Sequence, residues 1–184
     1  MNKGRSMDFE HLTQVMRRLA LEAGDKIMEI YESGDLGVEA KADDSPVTRA
    51  DVAADRIIHD GLKAAFADVQ IVTEERAATH GGARQDRFIL VDPLDGTKEF
   101  VKRGGDFTVN IALIENGVPV AGVVYAPAKG RLFQTLDAGG VVEETGALTL
   151  DAIGPRKPLP LRARSRRRQP AMHSTCRLSS ANNR

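Results

Sequence analysis

Phe88-Ile89-Leu90-Val91-Asp92-Pro93-Leu94-Asp95-Gly96-Thr97-Lys98-Glu99-Phe100 is the stretch on which the fold of this chain turns. An apolar run of strand length ends in a carboxylate, a proline that cannot extend a ladder, and a second carboxylate three residues on. A Gly-Thr pair then opens a short helix. Two carboxylates at a strand end, with the Leu94 carbonyl between them, form an all-oxygen set suited to a hard divalent cation. The Gly96 and Thr97 amides at a helix start suit a phosphate oxygen. The same spelling, Asp-x-x-Asp-Gly, also describes an ordinary strand-exit turn with an Asp cap, so the stretch alone leaves the chemistry open.

Working outward, Leu12, Val15, Met16, Leu19, Ala23, Ile27 and Ile30 recur at steps of three and four over residues 7–32, which predicts an amphipathic helix. A loop over 33–47 follows. Thr48-x-x-Asp51 then opens a second helix with a capping box, its buried stripe predicted as Val52, Ile57, Ile58, Leu62, Ala65 and Phe66. Runs of strand length stand at 69–73, 88–91, 107–114, 118–125 and 131–136, and Glu115-Asn116-Gly117 predicts an antiparallel hairpin between the third and fourth. Two helices and a meandering sheet make a layered α+β domain. Glu74 and Glu75 end the first of these strands. Lys41, Asp43, Asp44, Ser45 and Pro46 precede the second helix. Read locally, each of these is a polar loop.

The 184 residues, 41% hydrophobic and 28% charged, suffice for one domain with a sizeable core. No run of 18 apolar residues and no signal peptide occur, so a cytoplasmic chain without a transmembrane segment is expected. One cysteine, Cys176, excludes an intrachain disulfide and Cys-based metal sites. The four histidines never fall at a ligand spacing, so a bound metal must be held by oxygen. Net charge is zero, yet all 26 acids lie at or before Asp151. Residues 1–154 carry −9 and residues 155–184 carry +9. The division expected is a folded lobe at 1–154 and a basic, disordered tail at 155–184. The basic run at 162–168 has the charge to meet nucleic acid or anionic lipid, but no aromatic residues interleave with it, and no nucleic-acid partner is expected.

The order of the motifs says more than any one of them. Lys41-x-Asp43-x-Ser45-Pro46-Val47-Thr48-x-x-Asp51, then Glu74-Glu75, then Val91 to Phe100, then Phe107-Thr108-Val109-Asn110-Ile111-Ala112-Leu113-Ile114 resembles the inositol monophosphatase superfamily of metal-dependent, lithium-sensitive phosphatases, over about residues 12–136. Within it, Asp95 to Phe100 followed by Lys102-Arg103 and Phe107 to Asn110 is similar to the 3′(2′),5′-bisphosphate nucleotidases of the CysQ type. Inositol phosphatases more often place Asn-Phe after the Thr. The resemblance implies the layered α/β sandwich of that superfamily, here its N-terminal lobe only. It also implies Mg²⁺-dependent hydrolysis of a phosphate monoester, converting adenosine 3′,5′-bisphosphate to AMP. Two or more Mg²⁺ ions are implied: Glu74, Asp92 and the Leu94 carbonyl for one, Asp92 with Asp95 for the second. Thr97 would orient the attacking water, with Asp51 holding its hydroxyl and Glu74 completing the catalytic set. Gly96 and Thr97, with Glu74, would bind the phosphate. The partner implied is a small phosphorylated nucleotide, met in the cytoplasm or at the periphery of the inner membrane. An inositol or sugar phosphatase, and an inactive metal-binding fragment or interaction domain, are the alternatives.

One departure stands against the pattern. Family members continue into a second lobe that supplies a further Asp, in a Trp-Asp-x-Ala-type motif, and most nucleoside contacts. This sequence has no Trp and no acid after Asp151, and the resemblance fades after Gly139-Gly140. The switch to Arg, Ser and Pro after about residue 154 is what a truncated or frameshifted product would give, and a weakened second cation site and looser nucleotide positioning are expected with it.

Overall fold

Helix α1 (Phe9–Ser33) starts where Asp8 accepts the His11 amide at 3.0 Å and stops at Gly34, whose φ of 83° only glycine adopts easily. The computed structural model to which it belongs describes residues 8–40, 46–76, 85–136 and 139–160. Lys41, Asp43, Asp44 and Ser45, together with the tail from 161 onward, lie outside the described residues. Inside the expected loop, β1 (Glu39–Ala40) and β2 (Pro46–Val47) form a two-residue antiparallel ribbon. Thr48 then caps α2 (Arg49–Ala65) in the expected capping box, its side chain meeting the N3 amide while Asp51 reaches back to the Thr48 amide. The stripe of α2 differs from the one predicted. Its inward line is Asp51, Ala54, Asp55, Ile58 and Leu62, whereas Ala65 is exposed and Val52, one residue or about 100° off that line, is 60% exposed.

Seven strands follow and lie side by side in chain order: β3 (Gln70–Thr73), β4 (Arg87–Asp95), β5 (Thr108–Glu115), β6 (Val118–Ala126), β7 (Arg131–Thr135), β8 (Val141–Thr145) and β9 (Arg156–Leu159). Helix α3 (Thr97–Val101) sits between β4 and β5. Only β3 and β4 are parallel, and the remaining pairs are antiparallel. Asn116 and Gly117, at φ of 50° and 76°, make the expected hairpin between β5 and β6. Both long helices pack on one face of the sheet. Leu12, Met16, Leu19 and Ile27 of α1 and Ile58 and Leu62 of α2 meet Ile89, Val91, Ile111, Leu113 and Val123 in one core. The helices approach closely because Gly61 of α2 has no side chain: a Cβ there would lie 2.2 Å from a Leu19 methyl. The opposite face leaves Leu90, Val120 and Val124 between 37% and 42% exposed.

Order continues past Gly154, which corrects the expected start of a disordered tail at residue 155. Strand β9 pairs with β8 through Glu144 opposite Arg156 and Val141 opposite Leu159. Its sequence, Arg-Lys-Pro-Leu, has no period of its own. Pro158 is tolerated because β9 is an edge strand, and its pairing comes from β8 rather than from local propensity. No helix among the described residues is long and apolar enough to cross a membrane.

Candidate active site

Asp92 and Asp95 share a face because the ladder slips between them. Asp92 stands opposite Asn110 and Asp95 opposite Thr108, with an irregularity at Pro93 and Leu94. Three residues apart on β4 thus become two apart on β5, which is the period of one face of a sheet. Asp95 Oδ2 accepts the Asn110 side-chain amide at 3.3 Å, and Asn110 Oδ1 accepts the Thr108 hydroxyl at 3.2 Å. Gly96 follows at φ 96°, where a Cβ would lie 2.7 Å from the Asp106 carbonyl. Glycine is required there on both counts. The chain can then turn into α3, which Phe100 anchors between the rings of Tyr31 and Phe107, centroids 5.1–5.2 Å away.

Thr97, the first residue of α3, donates its hydroxyl to Asp51 Oδ1 at 3.0 Å and lies 3.2 Å from the Leu94 carbonyl. The other Asp51 oxygen accepts both the Thr48 amide at 2.7 Å and the Thr48 hydroxyl at 2.5 Å. Asp51 and Thr48 are each 1% exposed. Burial pushes the Asp51 carboxyl above its usual range, and the hydrogen bonds from Thr48 and Thr97 only partly offset this. The contact expected between Thr97 and Asp51 is present. Thr48, which the sequence reading placed in the motif and at the helix cap, was given no role in the site there.

Glu74 leaves β3 in a turn, its amide bonded to the Val91 carbonyl at 3.1 Å, and its carboxyl hydrogen-bonds with Asp92. Asp92 is pushed up to about 7, first by burial and then by the charges of Glu74 and Asp95. Its Oδ1 is buried with no hydrogen-bond partner. Among the described residues no three His, Cys, Asp or Glu side chains converge as ligands. The structure brings the predicted residues together in pairs, Glu74 with Asp92 and Asp51 with Thr97, while Asp95 turns one oxygen to Asn110. A divalent cation fits the group nonetheless: the donors are all hard oxygens, one buried oxygen lacks a partner, and the carboxyls carry mutual repulsion that a cation would relieve.

Beside Asp95 and Gly96 opens a cavity of about 360 Å³ with Glu99, Asp106 and Lys129 on its walls. Three carboxylates against one ammonium make it a poor seat for a bare anion and a reasonable one for an anion delivered with cations. Asn110 and Thr108 were missed as site members, although both stood in the quoted Phe-Thr-Val-Asn run. The signal was their place opposite the acids on the neighbouring strand, which appears only once the strands are paired.

Known proteins resemble this chain in sequence and in fold. The chain is 47% identical over 131 residues to the 3′(2′),5′-bisphosphate nucleotidase CysQ of Escherichia coli K12, covering 70% of this chain and 53% of that protein. It is 44% identical over 143 residues to the CysQ of Shigella flexneri, covering 77% and 58%. The chain spans about half the length of the curated relatives it matches. Among solved structures, the CysQ of Bacteroides thetaiotaomicron, described as a bacterial member of the inositol monophosphatase family, superposes with a TM-score of 0.58 at 36% identity over 78% of this chain and 55% of that one. The suhB protein of Bartonella henselae superposes at 0.65 with 33% identity over 72% and 52%. The family model for inositol monophosphatases matches residues 8–184. With the strand-end acids, the Gly96 turn and the Thr97–Asp51 contact all in place, the chain belongs to the inositol monophosphatase family.

Proposed function

We propose that this chain is a phosphate monoester hydrolase of the 3′(2′),5′-bisphosphate nucleotidase type, which removes the 3′-phosphate of adenosine 3′,5′-bisphosphate to give AMP. The observation that carries this reading is the chain Thr48–Asp51–Thr97, in which Thr48 and Asp51 are buried and Thr97 is half-buried, next to the strand that carries the under-partnered Asp92. A half-buried hydroxyl that donates to a carboxylate can accept a hydrogen bond from water with its lone pairs. Asp51, with its affinity for a proton raised by burial, suits the far end of such a relay. Water oxygen bonds phosphorus, the bond from phosphorus to the ribose 3′-oxygen breaks, and the water proton passes toward Thr97 and Asp51. Glu74, Asp92, the Leu94 carbonyl and Asp95 would hold Mg²⁺, which when bound supplies Lewis acidity and charge neutralisation at the phosphate. The Gly96 and Thr97 amides are assigned to the phosphate oxygens. No His or Cys nucleophile stands among these residues, and hydrolysis by direct attack of water needs no covalent intermediate.

The test is phosphate release from adenosine 3′,5′-bisphosphate with and without Mg²⁺, set against an inositol monophosphate. Faster release from the nucleotide, lost on chelation, supports the reading, and preference for the inositol phosphate moves it to the sugar-phosphatase side. A second reading, a lobe that binds cations without turnover, is favoured by one observation: the matched stretch spans only 53–58% of those relatives. Cation binding with no release from either substrate selects it.

A further inference from the structure

Helix α2 carries two buried aspartates one turn apart on its inward face, Asp51 and Asp55, 1% and 5% exposed. Asp51 reaches Thr97. Asp55 plays no part in that contact, yet a carboxylate buried in the line of Ala54, Ile58 and Leu62 is costly where an apolar side chain would serve. Its Oδ2 accepts the Arg76 Nε–H at 2.6 Å, and its Oδ1 has no hydrogen-bond partner. Arg76 lies two residues beyond Glu74. Its amide closes the turn by donating to the Thr73 carbonyl at 3.4 Å, and the Glu74 amide ties the same turn to Val91 at 3.1 Å. The turn is thus bonded to β4 on one side and clamped to α2 on the other. Glu74 itself is exposed, so packing does not fix its place. Its carboxyl hydrogen-bonds with Asp92, and the backbone of the turn sets where that side chain starts.

We propose that Asp55 and Arg76 are positioning residues for Glu74: the pair locks the turn after β3 to helix α2, so that one helix sets both Thr97, through Asp51, and Glu74, through Asp55 and Arg76. Neither touches substrate. The inference rests on the reading of Glu74 as a cation ligand, and it assigns to this ion pair a role in cation affinity rather than in stability.

The two roles separate in a double variant, Asp55→Leu with Arg76→Met, made in the full 184-residue chain. Replacing both partners of a buried pair by apolar side chains leaves no orphaned charge and is commonly neutral or stabilising. The probe is Mn²⁺, its free fraction read by electron paramagnetic resonance, with thermal melting in metal-free buffer as the second readout. The expected result is a melting temperature at or above the parent's with Mn²⁺ affinity lowered about tenfold, the scale at which residues behind a ligand act. Arg76→Lys, which keeps the charge, should lose less. On a Glu74→Gln background the double variant should cost no further affinity. Parent-like Mn²⁺ binding by the double variant overturns the proposal, as does an equal loss on the Glu74→Gln background or a melting temperature well below the parent's. A parent chain that binds no Mn²⁺ overturns the ligand reading of Glu74 and this inference with it.

Discussion

Two carboxylates inside this molecule meet opposite treatment. Glu144, on β8, is fully buried and oversupplied: Arg17 of α1 reaches it through Nε at 3.0 Å and Nη2 at 2.6 Å, the Gly154 amide donates at 2.6 Å, and Arg156 stands 3.7 Å away. Burial alone would raise its pKa, but the hydrogen bonds and positive charges hold it below the usual carboxylate range. Asp92, at the end of β4, has one oxygen with no partner and two acids for neighbours, and is pushed the other way. A carboxylate with every oxygen answered is part of the architecture. One left short among its own kind marks a candidate functional site.

The largest effect should come from breaking the satisfied site. Arg17→Met leaves Glu144 buried with only Gly154 and Arg156, and should cost about 3 kcal/mol, toward the lower end for an uncompensated buried charge because two partners remain. At about 2–4 °C per kcal/mol for a domain of this size, the melting temperature should fall by about 6–12 °C. A change within 2 °C, on that scale at most about 1 kcal/mol, would show that the pair is not structural.

That site was invisible in the sequence, whereas much around the other was legible. Helix α1, the Thr48 capping box and the Asn116-Gly117 turn depend on residues within a few positions of one another, and the linear pattern carries them. So does the strand-end spelling from Val91 to Thr97. Arg17 and Glu144 are 127 residues apart, and nothing near either announces the other. The same blindness hid β9, which exists because β8 offers a ladder, and the pairing of Asn110 with Asp95, which exists because β4 and β5 slip at Pro93. Val52 was misplaced for a smaller reason, since one residue on a helix turns a side chain by about 100°.

Next in size is Thr97→Ala, which probes the relay without touching the acids. Turnover of adenosine 3′,5′-bisphosphate should fall about 100-fold or more, the usual worth of a positioned proton relay. Mn²⁺ affinity should stay within about twofold, because the hydroxyl is not itself assigned to the cation: it bonds Asp51 at 3.0 Å, and its 3.2 Å contact with the Leu94 carbonyl leaves that oxygen a second lone pair. Retained turnover would move the relay to another group.

Asp92→Asn should then give the sign opposite to Arg17→Met. Removing the charge relieves repulsion from Glu74 and Asp95, and metal-free stability should rise by about 1 kcal/mol, typical of a single substitution. Cation affinity should drop by more than about tenfold, since even residues behind a ligand are worth that much. Lower metal-free stability would mean that Asp92 is as well satisfied as Glu144 and that the contrast between them is false.

Acid titration sharpens the comparison further. Glu144 has its folded pKa depressed below the ordinary value of 4.5, so its contribution is fully present above 4.5 and is lost as pH falls through the folded value. Melting temperature should decline on that side in the parent. In Arg17→Met the decline should be shallower, because much of what depressed the pKa is gone. Parallel profiles would detach the pH dependence from this pair.

The smallest effect should come from Glu75→Gln. Glu75 sits next to Glu74 in sequence and carries the same charge, so a site built on bulk negative potential would feel its loss nearly as much. The charges that chiefly raise Asp92 are those of Glu74 and Asp95. The turn after β3 therefore aims Glu74 at Asp92. Mn²⁺ affinity in Glu75→Gln should lie within about twofold of the parent and stability within about 0.5 kcal/mol, as for a surface substitution. A loss matching that of Glu74→Gln would show that the acids act as a diffuse cloud of charge, and the distinction drawn between a held and a waiting carboxylate would then reduce to net charge alone.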